Sequence, residues 1–101
     1  MGEFVKACKK SEIPDGAGKR VQVNGKEIAF FKTQEGVCAI YSVCPHQGGP
    51  LEEGGITDQV VTCPWHGWEF DVTTGECTFN DSIKQPTFRV KEEGEDVFVE
   101  A

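Results

Sequence analysis

A chain of 101 residues and 11.1 kDa holds one small core, spanning residues 1–101 as a single domain, and this excludes a large catalytic machine. Val, Ile and Thr together number 23 against 7 for Leu, Ala and Met, and 12 Gly and 5 Pro punctuate the chain, which is the composition of strands and turns. Seventeen acids against ten bases give a net charge of −7, which repels polyanions and excludes nucleic acid as a partner.

In chain order, a period of two predicts a first strand at residues 4–9, followed by a turn at Pro14-Asp15-Gly16. Residues 21–23 and 26–32 flank Asn24-Gly25, the signature of a type I′ hairpin. A turn at Glu35-Gly36 leads into a strand at 37–42. Two Gly/Pro-rich loops follow, with strands predicted at 59–63 and 69–72, a turn at Thr74-Gly75, and strands at 87–91 and 97–100 joined through Glu93-Gly94-Glu95-Asp96. No segment carries a sustained helical period. The expected fold is all-β, an antiparallel sandwich or small barrel.

A domain this short is marginal on apolar burial alone and often recruits a metal or disulfides. Five cysteines, an odd count, and no N-terminal signal peptide argue for reduced thiols in a cytoplasmic protein. The longest wholly apolar stretches are a few residues, such as 37–40, so no membrane span is expected. Charge is uneven. Residues 33–83 contain Glu35, Glu52, Glu53, Asp58, Glu69, Asp71, Glu76 and Asp81 and no Lys or Arg. Such a stretch is either a solvated face that keeps the protein soluble or a docking face for a basic partner.

The chain has two histidines, and each lies within three residues of a cysteine: Cys44-Pro45-His46 and Cys63-Pro64-Trp65-His66. Two soft thiolates and two imidazoles on two loops form a four-ligand metal set. A single zinc would accept them tetrahedrally, but C-x-H is tight for chelating one ion. A 2Fe-2S cluster offers two irons, so that two cysteines can take one and two histidines the other, with neither short pair chelating a single metal. The spacing suits the second geometry better.

The segments Cys44-Pro45-His46-Gln47-Gly48-Gly49-Pro50-Leu51 and Cys63-Pro64-Trp65-His66-Gly67-Trp68-Glu69-Phe70-Asp71 resemble the two cluster loops of the Rieske iron-sulfur family. The resemblance extends over most of the chain after Val37, including the Thr74-Gly75 turn and a covering loop at Lys84-Gln85-Pro86. It implies a small cluster-binding subdomain built from loops at about 43–51 and 62–71. Cys44 and Cys63 would hold the inner iron, and His46 and His66 the outer, solvent-facing one. Gly48, Gly49, Pro50 and Gly67 would let backbone amides approach the sulfides, and Pro86 would shield the cluster from water.

The departures from the family carry information too. Gly49 and Trp65 stand where high-potential members place a disulfide-bonded cysteine pair, and Trp68 and Phe70 where those members place hydroxyl donors to the cluster. Loss of donors destabilises the reduced form, so the resemblance implies a midpoint of roughly −150 mV or somewhat above, toward the low end of the Rieske range. It implies a monomeric ferredoxin that passes one electron from a flavin-containing NAD(P)H reductase to a terminal oxygenase, an electron carrier and not an enzyme. An alternative is the small Rieske subunit of a reductase complex such as nitrite reductase, and another is a zinc-stabilised interaction module. Trp68 is expected to pack the loops, Trp65 either to pack or to line a docking rim, and Cys8, Cys38 and Cys77 to be inert buried thiols.

Overall fold

The computed structural model describes residues 3–43, 49–65 and 67–100. Within them the chain forms eleven strands: β1 (Phe4–Lys9), β2 (Lys19–Val23), β3 (Lys26–Thr33), β4 (Gly36–Tyr41), β5 (Ile56–Thr57), β6 (Val60–Thr62), β7 (Glu69–Asp71), β8 (Glu76–Cys77), β9 (Asn80–Lys84), β10 (Thr87–Glu93) and β11 (Asp96–Glu100). The helical content of the described residues is two single 3-10 turns, Lys10–Glu12 and Leu51–Glu53. The fold is all-β, as its composition demands.

Two antiparallel sheets divide the strands. The larger has the order β1-β11-β10-β4-β3-β2, with its end strands β1 and β2 lying beside each other so that it nearly closes. The smaller has the order β5-β6-β7-β8-β9 and carries the second metal loop between β6 and β7. Hairpins set the register. Asn24 (φ 52°) and Gly25 (φ 79°) both adopt the left-handed conformation, making the type I′ turn that pairs Val23 with Lys26.

The apolar run in β3 explains how the sheets meet. Ile28, Ala29, Phe30 and Phe31 are all fully buried, although alternate side chains on a strand point to opposite faces. Ile28 and Phe30 join Cys8, Ile13, Val23, Ala39, Val97 and Val99 in a core enclosed by the larger sheet. Ala29 and Phe31 join Ile40, Leu51, Val61, Cys63, Phe70, Val72 and Cys77 in a second core between the sheets. β3 and β4 are thus a shared wall with a core on each face, and burial on both sides is what a strand without polar alternation implies.

The strands expected from periodicity are all present, with ends shifted by one or two residues. β5, β8 and β9 were not among them. β5 and β8 have two residues each, too few to display a period, and the Asn-Asp-Ser start of β9 is poor in strand formers. Pairing with neighbours, not local preference, makes these strands.

Candidate metal centre

Of the four ligands expected from the sequence, Cys63 is described; Cys44, His46 and His66 lie outside the described residues. Cys63 follows β6 directly. β6 and β7 pair as far as Thr62 and Glu69, leaving residues 63–68 as the connecting loop. Inside it the Cys63 N–H donates to the Trp68 carbonyl (2.7 Å) and the Gly67 N–H donates to the Cys63 carbonyl (3.0 Å). Gly67 reaches that carbonyl with φ at +75°, a conformation costly for any side chain. Its N–H is therefore engaged within the loop, and the turn role is the one the structure gives it. The Cys63 side chain is 2% exposed and belongs to the core between the sheets.

The first loop leaves the end of β4 through a closed neck. The Ser42 N–H donates to the Glu27 carbonyl (2.9 Å), the Leu51 N–H donates to the Ser42 carbonyl (2.8 Å), and Val43 forms a bridge with Pro50. Fully buried Leu51 anchors the returning chain in the same core as Cys63. Where the loop returns, Gly49 lies on the second loop. A β-carbon at position 49 would stand 2.8 Å from Cys63 Sγ and 3.1 Å from Trp65 Cγ. Further along, Gly54 packs directly on the Thr62 carbonyl, and the Thr62 N–H donates to the Gly55 carbonyl (3.0 Å). The two loops, 14 residues apart in sequence between Gly49 and Cys63, are held together in space.

A third segment ties them. Gln85 is 3% exposed, its backbone N–H donates to the Gly75 carbonyl (2.6 Å), and its side-chain Nε2 donates to the carbonyls of Tyr41 (2.7 Å) and Val43 (2.5 Å). The Pro86 carbonyl accepts from the Tyr41 N–H (2.9 Å), while Pro86 itself is exposed. Where the covering loop was expected at 84–86, Lys84 ends β9 and the connection to β10 is Gln85 and Pro86, of which Gln85 is the buried member. Sequence reading placed the loop but missed the side chain; a Gln beside a Pro in a short inter-strand connection was the only signal available.

The aromatic residues separate by role. Trp68 is half-buried against the core, tilted on Phe70 (6.5 Å between ring centroids) and edge-on to Phe79 (5.2 Å), so it packs as expected. Trp65 is 57% exposed and covers Gly49. Cys8 and Cys77 are buried and Cys38 is half-buried; burial pushes the thiol pKa of Cys8 and Cys38 up, which suits inert thiols. The hairpin behind the second loop is braced by Asp71, whose carboxylate accepts from Gln59 Nε2 (2.7 Å), the Thr73 N–H (2.8 Å) and the Thr73 hydroxyl (2.5 Å). Burial raises the Asp71 pKa, but these hydrogen bonds outweigh it and hold the carboxyl below its ordinary range. Glu53, Asp58 and Glu69 are exposed on this acidic half.

A buried thiol in a cradle that any β-carbon at position 49 would fill suits a cysteine ligand of an iron-sulfur cluster. Residues 3–92 match the sequence model of the Rieske [2Fe-2S] domain. The chain belongs to the Rieske family. Its cofactor is a 2Fe-2S cluster. This Rieske domain is 31% identical over 101 residues to the ferredoxin component of the naphthalene 1,2-dioxygenase system of Pseudomonas aeruginosa, an alignment covering 97% of the chain and 95% of that relative. It is 39% identical over 80 residues to cholesterol 7-desaturase nvd 1 of Ciona intestinalis, covering 76% of the chain but only 17% of that much longer protein. A solved structure of the complex of reduced oxygenase and oxidised ferredoxin in carbazole 1,9a-dioxygenase contains a chain that superposes with a TM-score of 0.84 at 27% identity, covering 96% of this chain and 92% of that one. Among the described residues of the Rieske domain, no helix is long and apolar enough to cross a membrane.

Proposed function

We propose that this Rieske domain is a one-electron carrier that takes an electron from a flavin-containing NAD(P)H reductase and delivers it to a terminal oxygenase in the cytoplasm. Cys44 and Cys63 hold one iron of the cluster, and His46 and His66 hold the other. When bound, the cluster supplies a reversible one-electron couple. The observation that carries the reading is the seating of Gly49 on the Cys63 thiol, because it brings the loop that follows Cys44 and His46 onto the loop that contains Cys63 and His66. The match to an oxygenase ferredoxin component, over 95% of that relative's length, supports the carrier role.

The protein's own residues do three things in this scheme. Hydrogen bonds within 63–68 and the neck at 42–51 hold the loops against a rigid core, so that little has to move when charge is added. Cys63, buried in the core, would hold one iron together with Cys44, and the imidazoles of His46 and His66 would hold the other and offer an electron exit to a docked partner. Exposed Trp65 offers an apolar contact, and exposed Glu53, Asp58 and Glu69, from the stretch 33–83 that lacks lysine and arginine, offer negative charge that complements a basic partner surface. The alternative reading is a small Rieske subunit of a reductase complex such as nitrite reductase, in which the electron would go to a fixed partner; it draws on a shared fold, at a TM-score of 0.86 to a solved structure named as a nitrite reductase small subunit.

The test is anaerobic purification, iron and sulfide quantification, and EPR after dithionite reduction. Two irons and two sulfides per chain with a rhombic signal of low average g establish the mixed Cys/His cluster. Zinc without an EPR signal overturns it. Co-purification with a large reductase subunit replaces the free carrier by the subunit reading.

A further inference from the structure

We infer that Gln85 is a positioning residue of the metal centre, its side-chain amide acting in place of a strand to hold the root of the first metal loop in register with the second. The inference rests on the assignment of Cys44 and His46 to the cluster. It starts from the point at which β10 stops covering β4. The ladder between them pairs Thr87 with Ile40 and Phe88 with Ala39. Beyond Ile40 the chain continues through Tyr41, Ser42 and Val43 to Cys44, and no strand residue of β10 lies opposite.

The loop before β10 fills that gap. The Pro86 carbonyl takes the Tyr41 N–H, and the two N–H donors of the Gln85 amide take the carbonyls of Tyr41 and Val43. Residues 41 and 43 lie two apart, so their carbonyls face the same side of an extended chain. One carboxamide therefore replaces two backbone donors of a neighbouring strand. Burial makes the bonds matter: with Gln85 at 3% exposure, little water reaches its amide to take the place of these two bonds, and removing the amide takes a donor from both carbonyls at once. Val43 is the residue before Cys44, and its bridge to Pro50 closes the loop neck.

The other end of Gln85 is fixed to the second loop's hairpin. Its N–H donates to the Gly75 carbonyl, and its own carbonyl packs on the Gly75 α-carbon, where φ is +83° and no β-carbon fits. Gly75 closes the turn between β7 and β8, and β7 carries the return of the second metal loop. One buried residue thus fixes the approach to Cys44 relative to the hairpin behind Cys63. Few side chains can do this. Asn is one methylene shorter, Met fills the volume without donors, and Glu places a carboxylate against two carbonyl oxygens.

The test compares the holoprotein with Gln85→Met, Gln85→Glu and, as a control, Val97→Ala, which opens the other core without touching either loop. Gln85→Met and Gln85→Glu are both expected to release iron to a chelator about tenfold faster, in line with the loss of a support behind metal ligands, and to shift the EPR g-values of the reduced cluster. Val97→Ala is expected to lower thermal stability while leaving iron release and g-values as in the wild type. The inference is overturned if Gln85→Met keeps wild-type release and g-values, or if Val97→Ala reproduces its changes. A wild-type chain that takes up no 2Fe-2S cluster defeats the functional reading instead. The clamp is then judged by hydrogen exchange over residues 41–51, where absence of acceleration in Gln85→Met overturns it.

Discussion

The α-carbon of Gly49 rests on the thiol of Cys63, so closely that a β-carbon at position 49 would meet Sγ at 2.8 Å and the Trp65 ring at 3.1 Å. Gly49 has no positive φ that would demand glycine, so the demand is steric. Both contacts lie in the second loop, and one is a proposed ligand atom.

Gly49→Ala is accordingly expected to destabilise the fold by about 1–3 kcal/mol, the usual cost of overpacking, and to displace the Cys63 thiol. Thermal unfolding measures the first effect and iron content per chain the second. A variant with wild-type stability and two irons would contradict the close packing.

The cysteines are expected to divide cleanly. Cys63→Ala abolishes the cluster, whereas Cys8→Ala, Cys38→Ala and Cys77→Ala each keep two irons and two sulfides, at a cost of about 1 kcal/mol in stability for the lost packing. The first three-dimensional reason is location: Cys8 belongs to the core inside the larger sheet, away from the loops. Iron and sulfide analysis of the four variants decides it.

The midpoint potential is expected at roughly −150 mV or somewhat above. Phe70 is fully buried in the same core as Cys63 and Trp68 packs on it, and neither carries a hydroxyl. Phe70→Tyr is expected to raise the midpoint by about 40 mV, the equivalent of one hydrogen bond of about 1 kcal/mol in a one-electron couple. Film voltammetry checks both values, and a wild-type midpoint above zero sinks the account.

Acid is expected to loosen the join between β4 and β10. The Glu92 carboxylate accepts the Val37 N–H (3.0 Å) and pairs with Lys10 (3.1 Å). The bond from Val37, aided by Lys10, holds its pKa below the ordinary value. Because the folded pKa is depressed, the stabilisation is complete above the unfolded carboxylate pKa of about 4.3 and is lost as pH falls through the folded value. Glu92→Gln should flatten the stability profile over that acid window; an unchanged slope in chemical denaturation would remove Glu92 from the explanation.

Electron transfer from a flavoprotein reductase is expected to slow about tenfold between low salt and about 0.5 M, as screening weakens attraction to the acidic half-chain. Stopped-flow reduction at several ionic strengths measures it. Rates independent of salt would remove electrostatic docking and leave the cluster assignment intact.

The sequence by itself determined the strands whose length let a period of two show, the hairpin at Asn24-Gly25, and the donor chemistry of a Cys/His pair on each of two loops. These are local properties, because alternation, turn residues and ligand types can be read along the chain. The double-sided burial of Ile28 to Phe31 was legible only as an apolar run; that its two faces serve two different cores depends on where the smaller sheet sits. β5, β8 and β9, the seating of Gly49 on Cys63 and the clamp of Gln85 on Tyr41 and Val43 arose from tertiary structure alone. A two-residue strand exists only through its partner, a glycine is required only by the surface pressed against it, and a buried amide is oriented only by carbonyls some forty residues away in the chain.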